Sequence, residues 1–300
     1  NDIYIMSSNI VLNKLNITNS GNNSLVYKFP NTVKFEEGDQ VAISHLNLYY
    51  SWFNITKKYN NNMFQYKWWD VDGNLTDVRT VLIPDGFYSV STLYEYVQKT
   101  LVDNKHYLVT DTGDFVYFIE FLTNSTYYAV EIRLSSLSEQ YIIDQNLQYP
   151  SNAGWVAPKN TLDGSTTIIH YATPHVIIPS NNSFGALLGF KAQTIYETTD
   201  ISDQFSFLND SAPNMNPSSS FIVTCSLVDN PLGIPNNIIY SFALNSVAFG
   251  DMINTSTDVL YSKIKAGSYN EFRINIQDQD FNQLQILDPN LLIVLSIIKH

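Results

Sequence analysis

With a single cysteine, Cys225, in 300 residues, the chain has no internal disulfide partner and no multi-cysteine zinc cluster. Cys225 alternates with Phe221, Val223 and Leu227, so it is expected to pack as a small core hydrophobe. Charge is also scarce: 15% of residues are charged, the net formal charge is −12, and Lys57-Lys58 is the only adjacent basic pair. A nucleic-acid binder needs a Lys/Arg stripe to displace phosphate counterions, and a polybasic membrane anchor needs a basic cluster. Neither partner is expected. The longest largely apolar stretch, 291–298, falls far short of the roughly 20 residues that span a bilayer. Residues 1–10 lack a basic start followed by an apolar run, so no secretory signal is expected there.

Catalytic signatures are missing as well. There is no Gly-x-Ser-x-Gly, Gly-x-x-x-x-Gly-Lys-Ser/Thr, Gly-x-Gly-x-x-Gly or His-Glu-x-x-His. What the chain does have is aromatic side chains, with 20 Tyr and 17 Phe, the types that suit strands. It also has asparagine clusters, Asn60-Asn61-Asn62, Asn181-Asn182 and Asn236-Asn237, which are expected at turn tips. Asn-x-Ser/Thr triplets such as those at Asn16 and Asn54 are background in so Asn-, Ser- and Thr-rich a chain.

Period-2 alternation marks strands at both ends. Leu46, Leu48 and Tyr50 alternate with His45, Asn47 and Tyr49, and Phe272, Ile274 and Ile276 alternate with Arg273, Asn275 and Gln277. The apolar run 291–298 is expected to be a strand buried on both faces. Between these ends, residues 81–190 break the pattern. Pro84-Asp85-Gly86 is a tight turn, and Thr92 with Glu95 fits a capping box. Leu93, Val97 and Leu101 then share one helical face, with Tyr94 widening it. Val130, Ile132 and Leu134 point one way along a strand, and Glu131 and Arg133 the other. Ser183 to Gly189 is a short helical turn stopped by Gly189. The polar stretch 200–220 is the best linker candidate. The expected organisation is an all-β chain: a discontinuous sandwich from 1–80 and 215–300, and an inserted, mainly-β domain at 81–214 carrying one helix and ending in a polar linker.

Four groups of residues raise the question of chemistry. Asp111-Thr112-Gly113 has the form of an aspartic-protease loop, but a single copy would need a dimer, and flanking strands favour a hairpin turn. His170 and His175 project to opposite faces of an extended segment and make a poor zinc pair. Asp278-Gln279-Asp280 and Asp200-Ile201-Ser202-Asp203 lack the calcium-loop pattern and suit acidic turns. Trp52, Trp68, Trp69 and Trp155 are candidate sugar-stacking platforms, with one of the Trp68-Trp69 pair expected in the core. His106 and His300 have no recognisable partner. No catalytic, cofactor-binding or metal-binding residue follows, so no cofactor is expected and an interaction or structural role is the default.

Three motifs in order suggest a family. They are Ile83-Pro84-Asp85-Gly86-Phe87-Tyr88 before the helix, Ser183-Phe184-Gly185-Ala186-Leu187-Leu188-Gly189-Phe190, and Ile274-Asn275-Ile276-Gln277-Asp278-Gln279 followed by Leu287-Asp288-Pro289-Asn290-Leu291. With these the chain resembles the penton, or minor capsid, proteins of virophages and Polinton-like viruses, the Mavirus type most. The resemblance implies a single jelly roll, of about eight strands in two sheets, with an outward-projecting inserted domain. It implies a non-enzymatic structural protein of the virion, a homopentamer closing each icosahedral vertex and touching double jelly-roll major capsid proteins. It also implies assembly inside the infected host cell and an outer domain available to a host receptor. The alternative is a carbohydrate-binding or host-attachment β-sandwich.

Overall fold

The computed structural model describes residues 6–19, 24–159, 172–196, 204–216, 220–244, 247–256 and 259–300. Strands dominate, with three helices among the described residues: α1 (Val90–Asp103), α2 (Glu139–Asp144) and α3 (Phe184–Leu188). The chain is all-β in class. It divides into two compact units, Asn1–Trp52 with Ser218–His300, and Phe53–Pro217.

The first unit is built from eight main strands, in chain order Met6–Asn13, Leu25–Phe35, Gln40–Tyr49, Ser220–Cys225, Ile238–Ala243, Met252–Ser256, Gly267–Asp278 and Leu292–Lys299. One sheet arranges them first, eighth, third, sixth; the other fifth, fourth, seventh, second. All these pairings are antiparallel. Short strands Ile17–Asn19 and Ser262–Lys263 extend the second and first of these sheets to five strands each. This interleaved order is that of a jelly roll. The second unit is the connection between its third and fourth strands.

The third strand shows how sequence sets the packing. Val41 and Ile43 are buried, and then the buried set changes parity to Leu46, Leu48 and Tyr50. A register shift between Val294 and Leu295 of the partner strand leaves Ser44 unpaired, and its hydroxyl donates to the Val294 carbonyl at 3.1 Å. One extra residue in a strand reverses its in–out phase, which is what a β-bulge does. The eighth strand differs from expectation. Ile293, Leu295 and Ile297 are buried, whereas Leu292, Val294 and Ile298 are only partly so. The strand is central in its sheet, between the first and third, but only one of its faces meets the opposite sheet.

Rings fill the space between the two sheets. Phe272, 1% exposed, lies 5.3 Å from Tyr27 and 5.4 Å from Phe29 between ring centroids. Trp52 contacts Tyr50 at 4.6 Å and Phe221 at 4.8 Å. Each such side chain contributes about 1.5–3 kcal/mol through burial. Cys225 is fully buried among these residues.

The second unit has its own core. A four-stranded sheet runs Gln193–Ile195, His175–Ile178, Met63–Lys67, Arg79–Leu82, and a three-stranded sheet runs Gln204–Leu208, Ala129–Ser135, Ile119–Asn124. Val90, Leu93, Val97 and Leu101 of α1 are buried in this core, on the face that their spacing predicts. Two boundaries differ from the sequence reading. Residues 53–80 belong here and not to the sandwich, because Met63–Lys67 pairs with Arg79–Leu82 and His175–Ile178. The described part of the 200–220 stretch is no linker, because Gln204–Leu208 pairs with Ala129–Ser135. Its signal is a short one, Phe205 and Phe207 alternating with Ser206 inside a polar segment. Glu131, expected to face outward, is 9% exposed. It accepts hydrogen bonds from Ser206 (2.6 Å), Arg133 (3.1 Å) and Asn124 (3.3 Å).

Candidate functional site

The asparagines near residue 60 do more than turn the chain. Asn60 adopts a left-handed conformation, φ 51°, and its side chain donates to the Asn181 carbonyl at 2.8 Å. Its own carbonyl accepts from the Ser183 N–H at 2.7 Å. Asn61 reaches back, accepting from the Thr56 N–H and donating to the Asn54 carbonyl. Asn62 exchanges backbone and side-chain bonds with Ile83. Asn54, 3% exposed, binds both polar groups of the Tyr88 backbone and donates to the Met215 carbonyl at 2.6 Å. This polar clip joins two of the motifs that carry the family resemblance. Each buried amide has its partners, as burial demands.

The motif glycines are needed for close approach. A Cβ on Gly86 would sit 2.7 Å from the Tyr88 ring, which folds back so that its hydroxyl reaches the Pro84 carbonyl. Gly189 takes φ 83° at the end of α3, and a Cβ there would overlap the Ser211 carbonyl oxygen. The helix start differs from the expected cap by three residues. Ser89 is the N-cap of α1, its hydroxyl accepting from the Thr92 N–H, while the Thr92 hydroxyl accepts from the Ser89 N–H. Both residue types suit the cap, and Thr92 occupies the box's third position in place of Glu.

His106, without a visible partner in the sequence, is 3% exposed and the most perturbed histidine among the described residues. Its Nδ1 lies 3.0 Å from the Tyr66 hydroxyl, and its ring stacks on Trp68 at 4.8 Å with planes 10° apart. Burial first, and then the charge of Arg79, push its pKa down to about 3. Burial likewise pushes Tyr66 up to about 12, against the Arg79 charge. The pair is therefore neutral across the physiological range.

The other candidates fall into plain structural roles. Asp111-Thr112-Gly113 is the turn between Leu108–Val109 and Phe115–Val116: the Thr110 N–H donates to the Asp114 carbonyl, Gly113 takes φ 92°, and Asp111 is exposed. Asp278 is 5% exposed, and its carboxylate accepts from the N–H groups of Asp280 and Asn282, closing a turn. His175 stacks on Tyr196 at 4.3 Å; burial and then the Lys67 charge lower its pKa. His170 and the Asp200–Asp203 segment lie outside the described residues. The His300 N–H donates to Asp39. Among the described residues, no three His, Cys, Asp or Glu side chains gather as a metal site, and no helix is long and apolar enough to cross a membrane.

The tryptophan platforms are not at the surface. Trp52, Trp68, Trp69 and Trp155 are 3% exposed or less. One of the Trp68-Trp69 pair was expected in the core, and both are there: the strand ends at Lys67 and the two rings meet edge to face at 4.9 Å. Trp155 completes the cluster 5.1 Å from Trp68, its N–H donating to the Lys105 carbonyl at 2.7 Å.

No model of a known protein family matches this chain, and neither does any curated protein. Among solved structures it is similar to the selenomethionine-labelled mavirus penton protein, at 13% sequence identity and a TM-score of 0.49, with 99% of each chain covered. The jelly-roll assignment rests on the strand order and register described above.

Proposed function

We propose that this chain is a structural capsid protein forming the pentameric vertex of an icosahedral virion and contacting the neighbouring major capsid proteins. The observation that carries this reading is the jelly-roll strand order with a separately cored unit inserted in one connection. The motif resemblance implies that architecture, with the inserted unit outward. Jelly rolls also serve lectins and cupins, so fold alone does not decide. Here the space between the sheets is filled by Phe35, Trp52, Phe221 and Phe272, which suits a building block better than a ligand-holding barrel. Apolar residues are instead presented to solvent: Leu232 is 95% exposed and Ile234 96%, in the loop between the fourth and fifth strands. Exposed apolar groups of this kind suit subunit contacts. Ring closure needs heterologous contacts, in which one flank of a subunit meets a different flank of the next.

Size-exclusion with light scattering, on the chain alone and with a co-expressed double jelly-roll capsid protein, together with electron microscopy of the assembled particles, tests the proposal. Closed pentamers at the particle vertices are expected. Vertices built from another protein, with this chain left in solution, would sink it. The carbohydrate-binding alternative through exposed tryptophans has lost its carriers.

A further inference from the structure

A cavity of about 460 Å³ opens on the second unit between strand Arg79–Leu82 and the last turns of α1. That volume lies within the range of about 300–1,000 Å³ that small-molecule sites occupy. Buried Tyr66 is among its lining residues, with its hydroxyl engaged by His106. Tyr96 forms part of its wall, its hydroxyl donating to the Leu82 carbonyl.

Its polar groups differ between the two sides, with the Thr80 hydroxyl, which accepts from Gln65, as a further polar group beside the strand. On the strand side stands Arg79, which can only donate hydrogen bonds. The chain has three arginines. Arg133 pairs with Glu120 and Glu131, and Arg273 with Glu271, while Arg79 has no ion pair among the described residues. On the α1 side stand acceptors. The Thr100 hydroxyl donates to the Tyr96 carbonyl, leaving its lone pairs, and Asn104 gives one of its two side-chain N–H groups to the Thr100 carbonyl, leaving its Oδ1 and the second N–H. One oxygen of Asp103 is taken by Lys99, which also neutralises it. The site therefore carries one uncompensated positive charge, on a chain of net charge −12. A complementary ligand has a planar anion at one end, to meet the guanidinium fork, and O–H donors at the other.

We propose that this cavity binds an acidic sugar unit, its carboxylate held by Arg79 and its hydroxyls by Thr100, Asp103 and Asn104. The inference stands independently of the capsid reading, because it concerns the inserted unit alone. In a vertex protein, it would make that unit the reader of acidic glycans.

Ligand-observed NMR and calorimetric titration of the full chain with glucuronic acid, N-acetylneuraminic acid, glucose and acetate test it. The acidic sugars are expected to bind at least about ten-fold more tightly than glucose or acetate. Arg79→Gln is expected to weaken them at least about ten-fold with an unchanged melting temperature, and Arg79→Lys by less. Thr100→Val, on the opposite wall, lowers affinity several-fold and keeps the test valid if an Arg79 variant folds poorly. Absence of acidic-sugar binding, equal binding of glucose, equal binding of acetate, or affinity indifferent to Arg79→Gln would each overturn the proposal.

Discussion

The side-chain amide of Asn54 holds both backbone polar groups of Tyr88: its oxygen accepts from the Tyr88 N–H at 2.8 Å and its nitrogen donates to the Tyr88 carbonyl at 2.7 Å. The same nitrogen reaches the Met215 carbonyl. Asn54→Ala strands all three partners, two of them on one residue. It is expected to cost about 3 kcal/mol, seen as a drop of about 6–12 °C in the thermal transition of this unit. A melting temperature unchanged in Asn54→Ala would show that solvent replaces the clip.

Two glycines separate backbone strain from steric overlap. Gly113 and Gly189 both have positive φ, 92° and 83°, but a Cβ on Gly113 meets nothing within 4 Å, while one on Gly189 overlaps the Ser211 carbonyl. Gly113→Ala should cost about 1 kcal/mol through conformation alone. Gly189→Ala should cost about 3 kcal/mol or more, with overpacking added. Chemical denaturation of the two variants side by side measures the difference.

His106 makes stability depend on acidity. Its folded pKa of about 3 lies below the ordinary value of 6.5, because burial disfavours the charged ring. Below about pH 6.5 the unfolded chain takes up a proton that the folded chain refuses, so stability falls as pH falls towards 3. Between about pH 7 and pH 4 the native chain should lose roughly 3 kcal/mol more than His106→Gln does. Parallel denaturation curves at the two pH values read this directly, and equal losses in the two proteins would refute it.

Cys225 should be silent in the folded state. It is fully buried, and burial pushes its thiol pKa up to about 12. A thiol reagent is expected to label one cysteine per chain after denaturation and almost none before.

Leu232 and Ile234 should matter to assembly and not to folding. Replacing both with Ser is expected to change stability by less than about 0.5 kcal/mol, since neither is buried within the chain. If they form subunit contacts, the variant elutes as monomer under conditions where the native chain assembles.

Much of the sandwich was legible because its strands alternate: Phe272, Ile274 and Ile276 face inward as their spacing says, and Leu93, Val97 and Leu101 do so on α1. The start of the second unit was not legible. Residues 53–62 have no hydrophobic period, and their order comes from the amides of Asn54, Asn60, Asn61 and Asn62, which by composition resemble any turn. The cap of α1 was misplaced because Ser89 and Thr92 are both good caps and sit one box apart. Of the four tryptophans only one of the Trp68-Trp69 pair was placed in the core from sequence, and all four are buried, because a single aromatic ring carries no period and its burial depends on distant partners. His106 met its partner only through Tyr66, 40 positions away. The cavity beside Arg79 was equally invisible, since its two walls come from separate elements.

Asn54 lies at the start of the inserted unit and Met215 at its end, and one amide nitrogen touches the backbone of both sides of the unit. The unit is thus a cassette whose ends are already fastened together. A host fold pays little loop-closure entropy for such a segment, whatever its length. The sandwich can therefore accept a cassette of different size or surface in this connection without renegotiating its own strand register.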